Sequence, residues 1–208
     1  MNTSEIIQTR RSIRKYLPDP VSTEQLEALI DAAVHAPSGC NSQCWHFTAI
    51  RSADRIEALA LAVEEGVRRV FSQVTDPNFL AGRLKQTTFF RKAPLVLCVF
   101  MTEMNYHDPR VEEYYAKQGI DHTGMLHLMG DPDILSVGAA VENLLLKAAE
   151  LGLGACWMND PVVAEPEVKA LLNTPSDYRL MSVVPVGYPA YAPRNKPMKP
   201  MDSVLEIL

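Results

Sequence analysis

The stretch Thr9-Arg10-Arg11-Ser12-Ile13-Arg14-Lys15-Tyr16 places four cationic side chains and a hydroxyl within eight residues, in a chain of formal net charge −5. Guanidinium groups carry fixed forks of N–H donors that match the oxygens of phosphate or carboxylate. A solvated charge run closing a first helix has the same composition, so these residues alone do not decide. A second stretch, Ala36-Pro37-Ser38-Gly39-Cys40-Asn41-Ser42-Gln43-Cys44-Trp45-His46-Phe47, tips the balance towards a binding site. Its Asn41 and Gln43 amides can both donate and accept hydrogen bonds.

The elements that must position these residues can be read from capping and periodicity. Asn2 with Glu5 makes a capping-box-like start to a short first helix that runs to about Thr9. Pro18 and Pro20 then break the chain. Ser22 with Gln25 is a better capping box, and Leu26, Leu29, Ile30 and Ala33 follow at helical spacing. That helix should end by Ala36, because Pro37 disfavours helical geometry in the residue before it. Ser38 to Cys44 reads as a polar loop and Trp45 to Ile50 as a strand. Ile56, Leu59, Ala60, Val63, Val67 and Val70 carry a long amphipathic helix, capped by Ser52 or Asp54.

The run Pro94 to Phe100 is continuously apolar, as expected of a strand covered on both faces. Between Thr102 and Asp133 the character changes to seven carboxylates and three of the chain's five histidines. This reads as an exposed excursion, helical around Val111 to Lys117. Ile134, Val137, Val141, Leu144, Leu145 and Ala148 then mark an apolar helix closed by Gly152 and Gly154. With apolar or small residues over most of its circumference, that helix belongs at the centre of the molecule. Ala155 to Met158 is expected as a strand, Pro166 to Leu172 as a helix, Arg179 to Val186 as a buried strand and Gly187-Tyr188-Pro189 as a turn. The Pro-rich tail carries Arg194, Lys196 and Lys199. Helices around a few hydrophobic strands give an α+β class.

Composition narrows the function. At 208 residues, 47% hydrophobic and 22% charged, the chain can bury a full core as one domain or two small ones. Its acidic balance argues against general nucleic-acid binding, which needs a basic face. No apolar run approaches the ~20 residues that span a bilayer, and the N-terminus lacks a secretory pattern. Four cysteines do not make a dense disulfide framework, so a reducing cytoplasm is the expected setting. Cys40, Cys44 and His46 lie close in sequence. A structural zinc site needs about four ligands and no fourth is evident, while Cys-x-x-x-Cys lacks the two-residue spacing of thiol oxidoreductases. His107, His122 and His127 show no ligand-like period and are expected at the surface or at a pocket mouth. No metal site is expected.

Four motifs together resemble the FMN-dependent nitroreductase family. These are the Arg10-Arg11-Ser12-Ile13-Arg14 run, the Ala36 to Trp45 loop, the helix Gly138-Ala139-Ala140-Val141-Glu142-Asn143-Leu144, and Gly152-Leu153-Gly154-Ala155-Cys156-Trp157 followed by Gly187-Tyr188-Pro189. The match covers roughly residues 6–50 and 134–200. It implies a nitroreductase-like fold over residues 1–208, with a central, mostly antiparallel sheet surrounded by helices. It also implies an intertwined homodimer and a variable excursion at about 102–132 that sets substrate choice.

The resemblance further implies FMN as cofactor, NADH or NADPH as electron donor and a small electron-poor acceptor. A phosphate monoester carries between about one and two negative charges near pH 7, which clustered Arg and Lys suit. By resemblance the flavin-contacting positions are Arg10, Arg11, Ser12 and Arg14. Ser38, Asn41 and Gln43 would be offered to the neighbouring subunit's flavin, Gly154 and Ala155 would present backbone N–H groups, and Lys196 and Lys199 would hold the phosphate. Cys44 stands where the family usually has proline, and Met198 where it usually has arginine, leaving Lys199 as the substitute. No residue is expected to act as nucleophile, acid or base.

Overall fold

The computed structural model describes residues 2–194 and 196–208. In chain order it contains α1 (Thr3–Thr9), α2 (Thr23–Val34), β1 (Trp45–Ile50), α3 (Ala53–Val70), α4 (Pro77–Thr87), β2 (Leu95–Met101), α5 (Pro109–Ala116), α6 (His122–Leu128), α7 (Pro132–Glu150), β3 (Gly154–Ala155), α8 (Glu165–Leu172) and β4 (Arg179–Gly187). The strands form one sheet in the order β1-β2-β4-β3, with every pair antiparallel.

The unbroken apolar run of β2 follows from burial on both faces. Leu95, Leu97 and Val99 join a cluster with Leu29 and Ala33 of α2 and Val137, Val141 and Leu144 of α7. Val96, Cys98 and Phe100 point the other way, onto Ile56, Leu59 and Val63 of α3 and Val168 of α8. An antiparallel sheet with one wet face would alternate polar and apolar residues; this one lies between two helical layers and does not.

Local signals set most boundaries. The capping boxes at Asn2–Glu5 and Ser22–Gln25 are both formed. Ser52 does occupy the N-cap of α3, but its side chain makes no capping bond. α4 carries no motif in the sequence, yet Asp76 accepts from the Asn78 N–H at its start and Pro77 opens it. The region Ala155 to Met158 is less regular than a strand: β3 stops at Ala155, and Met158 makes only an isolated bridge to Val183. The Gly187-Tyr188-Pro189 segment is not a turn either. It runs extended beside residues 15–17, with Leu17 N–H donating to the Tyr188 carbonyl and Ala190 N–H to that of Lys15. The 102–133 excursion carries two helices, α5 and α6, and it is only partly exposed, since Met104, Met125 and Leu126 are buried in the α2–α7 cluster.

Gly66 shows how tightly the second layer packs. A Cβ there would lie 2.3 Å from Ala164 Cβ and 2.5 Å from Ala164 Cα, where α3 meets the turn that leads into α8. The obstacle includes backbone, so relief requires the two elements to separate. Gly66→Ala should therefore lower unfolding free energy by roughly 1–3 kcal/mol, the usual cost of overpacking. Chemical denaturation of the pair would show it as a lower midpoint, and an unchanged or higher midpoint would contradict this packing.

Candidate functional site

The cation stretch is held by the short strand β3. After α1 ends, Arg10 N–H donates to the Ile6 carbonyl at 2.8 Å, Ser12 bridges Ala155 in parallel, and Ile13 N–H donates to the Ala155 carbonyl at 2.9 Å. The approach is so close that a Cβ on Gly154 would sit 2.6 Å from Ile13 Cγ1. Tyr16 locks the far end, its hydroxyl 2.5 Å from the Ile13 carbonyl oxygen and 3.2 Å from that of Pro185. Burial pushes its phenol pKa well above the usual range, so it stays a neutral donor.

This seating divides the cations between two cavities. Arg10 and Arg11 line one of about 190 Å³, walled by Leu145 and Ala149 of α7 and by Pro193 of the tail. Arg10 Nε lies 3.2 Å from Glu142 Oε1 without hydrogen-bond geometry, and it is buried with no hydrogen-bond partner among the described residues. Arg14 and Lys15 instead line a cavity of about 720 Å³ with Tyr16, Leu84, Lys85 and Phe89. Thr88, Arg91 and Lys92 also border it, although Arg91 is engaged by Glu57 and Glu64, each at 2.8 Å. Lys85, Thr88 and Lys92 lie in a region without a recognisable motif, and no family pattern there shows that they border this cavity. The signal that could have marked them is a Lys-x-x-Thr-x-x-x-Lys spacing that begins in the last turn of α4 and runs past its end.

The amide loop is built on backbone that is uncommon for its residue types. Cys40, Asn41 and Gln43 have φ of 53°, 54° and 47°, in the left-handed region. Such conformations persist where surrounding bonds over-determine them. Here Gln43 N–H donates to Ser38 Oγ at 3.0 Å, Gly39 N–H to Ser136 Oγ at 3.1 Å, and Gln43 Nε2 to Asn41 Oδ1 at 3.4 Å. Ser42 Oγ is buried and lacks a hydrogen-bond partner among the described residues.

The two halves do not meet within one chain. The loop rests on Ser136, whereas the Arg10 cavity lies against Leu145 and Ala149 of the same helix. Nine positions on an α-helix make two and a half turns, so Ser136 and Leu145 face opposite sides and lie roughly 14 Å apart along the axis. Lys196 and Lys199 are exposed, and no ion pair is formed by either among the described residues. One other motif residue is structural here: Asn143 Nδ2 donates to the Ala32 carbonyl at 3.1 Å, tying α7 to α2. Gly138 lies beside Trp157, whose Cη2 would be in ordinary contact, 3.5 Å from a Cβ.

The cysteines are free thiols; Cys40 is exposed and Cys44, Cys98 and Cys156 are buried. Burial raises the Cys44 and Cys156 pKa values, the latter despite the nearby Arg14 and Arg10 cations, and pushes that of Cys98 up to about 12. All three remain protonated at neutral pH, the wrong state for a nucleophile or a metal ligand. No described helix is long and apolar enough to cross a membrane.

Comparison with known proteins agrees with this architecture. The sequence model of the Nitroreductase family matches residues 7–188. A protein of Archaeoglobus fulgidus provisionally named as an NADH dehydrogenase/NAD(P)H nitroreductase is 30% identical over 188 residues, covering 89% of this chain and 84% of that one. An iodotyrosine deiodinase of Thermotoga neapolitana is 26% identical, covering 97% and 94%. Among solved structures, a BluB-like flavoprotein from Clostridium difficile superposes with a TM-score of 0.84 at 27% identity, covering 100% of this chain and 99% of that one. A match that runs from the cation stretch through β4, with a relative 30% identical across most of both lengths, shows that the chain belongs to the Nitroreductase family.

Proposed function

We propose that this protein is an FMN-dependent oxidoreductase that takes electrons from NADH or NADPH and delivers them to a small electron-poor acceptor such as a nitroaromatic or a quinone. The observation that carries this reading is the pair of half-sites on opposite sides of α7. A cationic pocket and an amide loop that face apart in one chain come together when two chains pair about a twofold axis. Family membership and the flavoprotein of like fold support the same reading.

The residues fit the cofactor. Arg10 and Arg11, whose cavity is bordered by the tail at Pro193, would hold the phosphate with help from Lys196 and Lys199. Arg10 Nε is buried and makes no hydrogen bond, despite its ion pair with Glu142, so a phosphate oxygen could satisfy it. The larger cavity, with Tyr16, Leu84 and Phe89 as apolar walls and Arg14, Lys15 and Lys85 as donors, suits the flat ring and its polar edge. Ser12 bridges Ala155 and Gly154 packs on Ile13, between the residues that line the two cavities, and they would face the cofactor there. Ser38, Asn41 and Gln43 would reach the other chain's cofactor, and the orphaned Ser42 Oγ lies in the same loop. FMN, when bound, supplies the hydride chemistry. The chain's own residues bind it, orient it and tune its charge, and none of them needs to take up a proton or form a covalent bond.

Absorbance tests this first. The purified protein should be yellow, release free FMN on denaturation and bleach anaerobically with one of the two nicotinamides. A colourless protein that takes up no added FMN would refute the reading. Steady-state kinetics should then give parallel double-reciprocal lines, because donor and acceptor use one cavity in turn. Intersecting lines with a demonstrated ternary complex would refute the shared cavity.

The Thermotoga neapolitana relative favours reductive dehalogenation as a second reading on the same site. Halide release from an iodophenol, outpacing nitroaromatic reduction under identical donor, would select it.

A further inference from the structure

We propose that the 102–132 excursion binds a divalent transition metal, Zn²⁺ above all, through His107, Glu112 and His122. The three are scattered in sequence, but the fold gathers them where the start of α5 meets the start of α6. One donor atom from each lies within 4.8 Å of the other two. His107 Nδ1 is 3.0 Å from Glu112 Oε1, and His122 Nδ1 is 3.8 Å from the same oxygen. Zinc bonds to imidazole and carboxylate of about 2.0–2.1 Å place tetrahedral ligands roughly 3.4 Å apart. The observed separations bracket that value, so small side-chain rotations would close the site.

The surroundings suit a cation. The two imidazoles stack at 5.4 Å with their planes 25° apart, both beside the Glu112 carboxylate. A divalent metal held among them would neutralise Glu112. The three ligands line a cavity of about 230 Å³ together with Glu103 and Asp121, which keep the local field negative. Asp121 is already used, accepting from Gly124 N–H at 2.8 Å to cap α6, so the fourth position opens to the cavity and would take water or a small-molecule donor. Two imidazoles and one carboxylate with an open position suit zinc and its neighbours in the first transition row better than calcium or magnesium, which prefer all-oxygen sites.

The site is independent of the flavin residues. It would tie the two helices of the excursion together at their N-termini, on a segment that otherwise anchors through Met104, Met125 and Leu126.

The test uses the full-length protein and Zn²⁺ or Co²⁺ alone. After equilibration with Zn²⁺ and desalting, elemental analysis should find one equivalent per chain. His107→Ala, Glu112→Gln and His122→Ala should each weaken binding by more than the roughly 10–100-fold typical of losing an outer hydrogen-bond partner. His127→Ala is the control. His127 pairs with Asp131, at 3.1 Å, outside the cluster, and its loss should leave binding unchanged. Circular dichroism of each variant would identify any that fails to fold, and Co²⁺ spectra of wild-type protein then decide independently. Visible bands of a tetrahedral nitrogen and oxygen site support the proposal. A thiolate charge-transfer band would assign the metal to the exposed Cys40 and overturn it, as would substoichiometric Zn²⁺ in wild-type protein or equal binding in the three ligand variants.

Discussion

Arg10→Ala should weaken FMN binding by roughly ten- to hundredfold while leaving riboflavin almost unaffected, because a hydrogen bond to a charged group contributes about 1.5–3 kcal/mol. Riboflavin lacks the phosphate, so the comparison isolates that group. Arg10 is the sharper choice because its Nε is buried without a hydrogen bond and its cavity borders the tail. Its present neighbour Glu142 has a side chain 44% exposed, so losing the guanidinium strands no buried charge. Arg14→Ala should behave differently. Arg14 lines the other, larger cavity, and its loss should weaken both ligands by a similar factor. Titrations of wild type and both variants with each ligand settle the matter. A selective loss in Arg14→Ala, with none in Arg10→Ala, would move the phosphate into the larger cavity. Equal losses for both ligands in Arg10→Ala would mean that the substitution damaged the pocket generally. Lys199→Ala adds a check on the tail, where Met198 replaces the usual arginine. A phosphate-selective loss there would show that Lys199 has taken over the contact.

Much of this molecule could be read from its sequence because its signals are local. The Ser22–Gln25 box, Pro37 after Ala36 and Gly152 after Leu151 mark helix ends by backbone chemistry that acts within a few residues. The unbroken run of β2 announces burial on both faces. Elsewhere the deciding contact is distant in sequence. Tyr188 and Pro189 look like a turn, yet backbone pairing with residues 15–17, far away in sequence, holds them extended. Ala155 stays in β3, and beyond it the pairing with β4 thins to the bond from Cys156 N–H to the Pro185 carbonyl and the isolated bridge of Met158 to Val183. The cation cluster was visible as composition, but its division between two cavities was not. Arg10 and Arg11 lie on one side and Arg14 and Lys15 on the other of the point where Ser12 and Ile13 pair with Ala155, a contact distant in sequence. His107, Glu112 and His122 are the clearest case. Their spacing carries no period, and only the packing of α5 beside α6 brings them together.

Leu135→Arg should convert a flavin-loaded dimer into a colourless monomer. In the single chain Leu135 is 67% exposed, near the start of α7, and Ile7 of α1 is 58% exposed. The tail adds Met201, Val204, Leu205, Ile207 and Leu208, all exposed. These exposed apolar side chains on α1, α7 and the tail are what the proposed dimer would cover, with Leu135 as the test position. Arginine and leucine have nearly equal helix propensity, and an exposed substitution normally changes stability by within about 0.5 kcal/mol. The variant should therefore fold as a single chain. In a twofold dimer the charge would enter the interface twice, buried and unpaired, which costs far more. Since each cofactor site would draw its amide loop from the other chain, losing the dimer would also lose FMN. Leu61→Arg supplies the comparison. Leu61 is 55% exposed, but it lies on α3, on the other side of the sheet, and its substitution should leave both assembly and colour intact. Sedimentation velocity at low micromolar protein, read at the flavin absorbance, reports both quantities at once. A yellow Leu135→Arg dimer would exclude this face from the interface, and a yellow monomer would show that one chain completes the site alone.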